Sequence, residues 1–305
     1  MESQLTAETK TATVSMWQHY YELSKPGITQ MVALTGLAGY YLALPTDVVT
    51  YAANQSNWWH FLAAMLGIVT LSAGSGVVNH VLELNNDRSM KRTATRPLPA
   101  GLVSVRAAMV FAAVLTAVGV ALLWSVNPLT CVLGVVTWVT YVALYTPMKR
   151  RTRLALYVGG IPGALPFAGG WTAVTGSMDA MAWVLFGILF FWQLPHFLAL
   201  SWMYRSDYTD GGFVMHATSD DTGSRVGLLT VATSLLTAVS AVLPTIMGVT
   251  GWLYGGGVLV LGLWLTWESV RMYQQRDHAS ARRVLVTSYA VLMGIVALML
   301  VDKMP

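Results

Sequence analysis

The sequence predicts an all-α polytopic membrane protein with about nine transmembrane helices around a central cavity. Three observations lead there. Charged residues make up 10% of the 305-residue chain and hydrophobic ones 55%, whereas a soluble domain carries about 25% charge. The apolar residues gather in runs near the roughly 20 residues that a membrane-crossing helix needs. The basic residues between those runs fall almost entirely on alternate connections.

Residues 1–15 read as a disordered polar tail and 16–305 as one transmembrane domain. The tail lacks the apolar stretch of a cleavable signal peptide. Met16, Trp17, Tyr20, Tyr21 and Leu23 then precede Lys25-Pro26-Gly27. That pattern fits a short helix lying in the membrane interface and ending at a proline. Apolar runs follow at 28–45, 60–82, 103–125, 128–147, 155–174, 180–203, 226–248, 251–270 and 284–301. Hydrocarbon offers no partner to open backbone N–H and C=O groups, so each run has to be helical. The single cysteine, Cys131, sits inside the fourth run, so no intramolecular disulfide can form.

Orientation follows from the bases. Lys10 and Lys25 precede the first run. Arg88, Lys91, Arg92, Arg96 and Arg106 lie between the second and third, and Lys149, Arg150, Arg151 and Arg153 between the fourth and fifth. Arg205 and Arg225 come between the sixth and seventh, and Arg271, Arg276, Arg282 and Arg283 between the eighth and ninth. Lys303 alone falls on the other side. The positive-inside rule then puts the N-terminus in the cytoplasm or an organelle matrix, and the C-terminus opposite. Most acids share the basic face: Glu83, Asp87, Asp207, Asp210, Asp220, Asp221, Glu268 and Asp277. Acids contribute little to topology, so their gathering there needs a chemical reason.

The first candidate is Asn79-x-x-x-Glu83-x-x-x-Asp87 at the inner end of the second run. Steps of four advance about 40° each along a helix, so the three oxygens would share one face. A carboxylate near lipid is costly unless paired. Three such oxygens make half a cage for a hard cation, and Mg²⁺ takes such ligands while leaving positions for water and phosphate. The alternative is a solvated helix end paired with Arg88 and Arg92. The Pro/Gly-rich loop Arg92-Thr93-Ala94-Thr95-Arg96-Pro97-Leu98-Pro99-Ala100-Gly101 follows. Its arginines suit phosphate, or simply hold the loop inside. Further on come Tyr145-Thr146-Pro147-Met148-Lys149-Arg150-Arg151 and Gly159-Gly160-Ile161-Pro162-Gly163-Ala164-Leu165-Pro166. The bases there can be stop-transfer signals. The small residues permit close helix packing and leave room for a flat or extended ligand. Last, His196 in Gln193-Leu194-Pro195-His196-Phe197 lies eleven residues before Asp207, near three turns if the helix persists. Aromatics in the facing runs, such as Tyr141 and Tyr145, either pack or stabilise a cation over their rings.

These motifs, in order, resemble the membrane prenyltransferase superfamily typified by the 4-hydroxybenzoate polyprenyltransferases. The matching stretches begin at Ser24-Lys25-Pro26-Gly27 and end at Asp207-Tyr208. Tyr145-Thr146-Pro147-x-Lys149-Arg150, Val158 to Ala164 and Trp192-Gln193-x-Pro195-His196-Phe197 resemble its heme-farnesylating branch. Two departures stand out. Glu83 replaces the usual middle aspartate, and Met203 and His196 occupy the earlier acidic positions of the second motif. The resemblance implies a nine-helix fold, an active site on the cytoplasmic side, and transfer of farnesyl from farnesyl diphosphate to a vinyl group of heme b. It implies Mg²⁺ held by Asn79, Glu83, Asp87 and Asp207, with Arg92, Arg96 and Lys149 on the diphosphate and His196 on the heme. The expected setting is the bilayer of a bacterial inner membrane. Heme a synthase or other oxidase-assembly proteins are the expected protein partners, with no nucleic acid. The nearest alternative is a prenyltransferase acting on a quinone precursor or chlorophyllide. A transporter is the other, but it would carry polar residues along a path between both faces, not at one.

Overall fold

A computed structural model describes residues 15–45 and 47–304. The tail expected over 1–15 lies outside the described residues, except for Ser15. The Ser15 hydroxyl accepts from the Gln18 N–H while the Gln18 side chain accepts from the Ser15 N–H, a capping box that starts α1 (Met16–Leu23). This helix exposes Met16, Trp17 and Tyr21 and buries Leu23, the division an interfacial helix needs.

The chain continues through α2 (Pro26–Ala43), α3 (Val48–Ala53), α4 (Gln55–Leu82), α5 (Leu84–Ser89) and α6 (Val105–Val126). Then come α7 (Pro128–Met148), α8 (Ala155–Thr175), α9 (Ala180–Met203), α10 (Arg205–Asp210), α11 (Ser224–Ile246), α12 (Trp252–Gln275) and α13 (His278–Val301). Seven of these, α4, α6, α7, α9, α11, α12 and α13, are long and apolar enough to cross a membrane. Helices α2 and α8 have similar length but are diluted by Gly, Pro and Thr. No sheet occurs among the described residues, only an isolated bridge between Thr250 and Lys303. Three acids do local work. Asp47 and Asp179 cap α3 and α9, and Asp302 accepts from the Tyr254 N–H at 2.6 Å. Each fills an orphan donor at a helix start.

Two expected continuous helices are broken. Helix α4 stops at Leu82, and Glu83, at φ −95° and ψ 5°, joins it to α5. The backbone still steps by four, with Glu83 N–H to Asn79 O at 3.0 Å and Asp87 N–H to Glu83 O at 2.8 Å. Helix α9 ends at Met203, and Tyr204 (φ −110°, ψ 27°) turns the chain into α10. His196 and Asp207 therefore share no helical face. Helix α7 relaxes into a π-helix over Thr140–Tyr145. Pro147 has no N–H to give, and the Thr146 N–H and hydroxyl both reach Tyr141 O. Such π segments recur at functional sites.

Small residues set the tightest packing. A Cβ built on Gly39 would strike Phe167 O, and one on Gly170 would strike Gly36 O. Helices α2 and α8 thus meet backbone to backbone, as glycine allows in membranes. Around them the helices form a cavity of about 590 Å³, lined from α2, α4, α6, α7, α8, α9 and α13 and by Lys25. We expect Gly170→Ala to cost about 1–3 kcal/mol, the usual penalty of overpacking, because a carbonyl cannot move aside like a side chain. Thermal unfolding of the purified protein in detergent checks this. An unchanged midpoint would refute the backbone contact.

Candidate active site

The C-terminal end of α4 carries a network of buried polar side chains. Asn79 is fully buried. Its amide donates to Thr146 Oγ1 at 2.9 Å, and its Oδ1 accepts from Lys25 Nζ. Lys25 reaches inward because its backbone is left-handed, at φ 51°, just before Pro26 starts α2. Its ammonium also lies 3.3 Å from the Tyr141 hydroxyl. Burial lowers the Lys25 ammonium below the usual lysine range, and the Glu83 carboxylate only partly opposes this.

Every acid of the network faces a base. Glu83 pairs with Lys149, which also stands over the Tyr145 ring at 4.8 Å and the Phe213 ring at 5.3 Å. Burial alone would lower the Lys149 ammonium, but Glu83 and the neighbouring tyrosines outweigh it and raise it above the ordinary value. Asp87 takes Arg96 Nη1 at 3.0 Å and lies 3.7 Å from His80 Nδ1. Burial pushes the Asp87 carboxyl up, yet His80 and Arg96 prevail and hold it below the usual carboxylate range. The Asp87 carbonyl accepts from the Thr93 hydroxyl at 2.8 Å and fixes the following loop. Asp207 lies 3.9 Å from Arg92 Nε, and Arg92 sits over the rings of Tyr204 and Tyr208.

Asn79, Glu83, Asp87 and Asp207 are therefore each turned to a separate cation. Among the described residues, no three His, Cys, Asp or Glu side chains converge as a metal-binding group. The donors are all hard oxygens, the type Mg²⁺ takes, and each has a basic partner that an arriving phosphate can draw away. The set fits the ion by donor chemistry.

His196 stands apart from this cluster, on the cavity wall. It stacks on Trp192 and meets the edge of Tyr289. Its Nδ1 lies 2.8 Å from Ser288 Oγ, whose single proton goes to Leu285 O. With the Ser288 proton on Leu285 O, Nδ1 carries the ring proton and Nε2 is left as a lone pair. Asp220 belongs to a turn rather than the site, since it accepts from the Gly223 and Val226 N–H groups.

The sequence gives no role to Lys25, His80 or Thr146. Lys25 had a signal, a lone base between an interfacial helix and a Pro-Gly helix start. His80 had none, because its partner lies across the break at Glu83.

Residues 33–296 match the UbiA prenyltransferase family. The chain belongs to that family. It is 41% identical to the protoheme IX farnesyltransferase of Salinibacter ruber over 94% of this chain and 99% of that one. It is 36% identical to the enzyme of the same name from Opitutus terrae, over 97% and 98%. The UbiA fold is shared with a digeranylgeranylglyceryl phosphate synthase, at TM-score 0.75 and 16% identity over 93% of this chain and 97% of that one. It is shared too with a UbiA homolog from Archaeoglobus fulgidus bound to GPP and Mg²⁺, at 0.67 and 13% over 92% and 99%. This is an integral membrane prenyltransferase, and the transporter alternative falls.

The Glu83–Lys149 pair separates structural from functional need. Lys149→Met strands a buried carboxylate and should cost about 3–5 kcal/mol, whereas Lys149→Met with Glu83→Leu should regain most of that stability. Thermal unfolding of both variants, beside a prenyl-transfer assay, checks the pattern. Recovery of activity by the double variant would remove both residues from the chemistry.

Proposed function

We propose that this UbiA-family enzyme transfers a farnesyl group from farnesyl diphosphate to a vinyl carbon of heme b, giving heme o and diphosphate. One observation carries the reading. A cluster of paired acids and bases adjoins, through Lys25, Tyr141 and Tyr145, an apolar cavity of about 590 Å³, in a chain 41% identical to a protoheme IX farnesyltransferase.

Asn79, Glu83, Asp87 and Asp207 would hold Mg²⁺. The ion supplies charge neutralisation to the diphosphate leaving group. Arg92, Arg96 and Lys149 move from their carboxylates to phosphate oxygens, so the leaving group meets a site already rich in donors. The prenyl chain lies in the cavity, where Tyr141 and Tyr145 turn their rings toward the developing allylic cation. The vinyl group attacks that cation. Water then adds to the porphyrin-side carbon. His196 offers its free Nε2 to the heme from the opposite wall. Both substrates are lipophilic, which accounts for a site opened within a membrane.

The topology reading completes the proposal. Helices α2 and α8 cross with the other seven, making nine spans, with the N-terminus and the active site on the cytoplasmic side of a bacterial inner membrane and the C-terminus opposite. Heme a synthase or another oxidase-assembly protein takes up the product.

Glu83→Ala and Asp87→Ala should lower heme o formation at least a hundredfold at matched membrane levels, and chelating Mg²⁺ should do the same reversibly. Mass spectrometry of the hemes reads both, and normal heme o from either variant would sink the metal assignment. For topology, the one native thiol is removed by Cys131→Ser and a new one placed by Arg150→Cys or Ser177→Cys. A membrane-impermeant thiol reagent applied to intact cells should label only the second, and the reverse pattern would invert the orientation.

A further inference from the structure

A secondary alcohol does not form by itself in a dry cavity. The proposed product carries one water-derived hydroxyl, so one water has to wait beside the porphyrin-side carbon while the rest are kept out. The polar lining of the cavity narrows where that water can sit. Thr29, Thr35, Ser75 and Thr137 all face the cavity, but their hydroxyls donate to main-chain carbonyls of their own or the preceding segment. Gln193 is different. It is only 4% exposed and it lines the cavity one helical turn from His196.

Its orientation is set by its partner. The side-chain nitrogen donates to Gly160 O at 2.7 Å. A carbonyl can only accept, so the amide cannot be flipped. Oε1 is thereby aimed toward Gly163, where a Cβ would collide with it. It takes no hydrogen bond from any described residue. An amide oxygen that faces the cavity with no protein donor is an open acceptor for one water. The two glycines are what make room for the arrangement: Gly160 supplies the carbonyl and Gly163 the space.

We infer that Gln193 positions the water that quenches the cation on the porphyrin side. The inference rests on the heme-farnesylating reading above. In the first step the C–O bond of farnesyl diphosphate breaks and a C–C bond forms to the vinyl terminus, leaving the positive charge on the carbon next to the porphyrin. Water held by a hydrogen bond to Gln193 Oε1 keeps a lone pair for that carbon. Its oxygen forms the new C–O bond, and its proton goes to the diphosphate anion released in the first step. Without the held water, the same cation loses a carbon-bound proton to diphosphate and closes to an alkene. The product is then lighter by one water.

The test reads the ratio of the two prenylated hemes by mass spectrometry. Membranes containing the wild-type chain, Gln193→Met or Gly163→Ala are incubated with farnesyl diphosphate and heme b. Gln193→Met keeps the length and loses the acceptor. Gly163→Ala leaves the glutamine and drives its oxygen away. Each should lower the ratio of hydroxylated to anhydro product about tenfold, the scale of one lost hydrogen bond. A purely structural role would change total turnover and leave the ratio alone. Wild-type ratios in both variants overturn the inference, and if Gln193→Met does not reach the membrane, Gly163→Ala decides. Wild-type membranes that prenylate no heme overturn the reaction itself.

Discussion

A carboxylate at the edge of a hydrocarbon layer has to be neutralised, and at one end of this bundle that requirement ties the elements together. Glu83 and Lys149 join the end of α4 to the end of α7. Asp87 and Arg96 pin the loop that follows α5. Asp207 and Arg92 bring α10 against the same loop, and Asn79 draws in Lys25 from the start of α2. Each bond alone is a modest contribution, since desolvation cancels much of the attraction. Their value lies in what happens when one partner goes, because a stranded buried charge is expensive. The cluster therefore resists the loss of any one partner, and in the proposed reaction a ligand that brings both an anion and a cation would satisfy the same groups.

That exchange explains why the acids in this structure face bases rather than one another. Four oxygen donors converging with no cation between them would repel strongly in a medium of low dielectric. Pairing each with its own arginine or lysine keeps donors and bases at hand without that penalty. In the proposed reaction a diphosphate with its ion would satisfy both sets at once.

The sequence exposes much of this and hides the rest for identifiable reasons. Runs of apolar residues and the alternation of Lys and Arg locate the helices, because lipid enforces both rules along the whole chain. The Asn79, Glu83 and Asp87 spacing survives the break at Glu83, since the backbone still bonds in steps of four. The step from His196 to Asp207 does not survive, because Tyr204 ends α9 and no breaker residue announces it. Lys25 and His80 were legible only as residues. Their partners are set by a left-handed backbone at Lys25 and by a turn at Glu83, and neither follows from composition. Asp220 counts in the sequence only as one more acid on the basic face, and the backbone N–H groups around it make it a turn former.

Charge at the mouth and an apolar chamber behind it are two halves of one requirement. An allylic cation survives only where water is scarce, and a diphosphate leaves only where donors are dense. A single uniformly polar or uniformly apolar site cannot do both. Here the transition between them runs past Tyr141 and Tyr145, whose rings line the cavity and whose neighbours Lys25 and Lys149 belong to the charged cluster. The π segment over Thr140–Tyr145 carries both tyrosines. A regular α-helix ending at Pro147 would leave Tyr141 and Thr146 out of their bond, and Asn79 would lose the hydroxyl that orients its amide. The missing N–H of one proline thus propagates to the boundary between the charged site and the apolar cavity, which is where the proposed bond-making takes place.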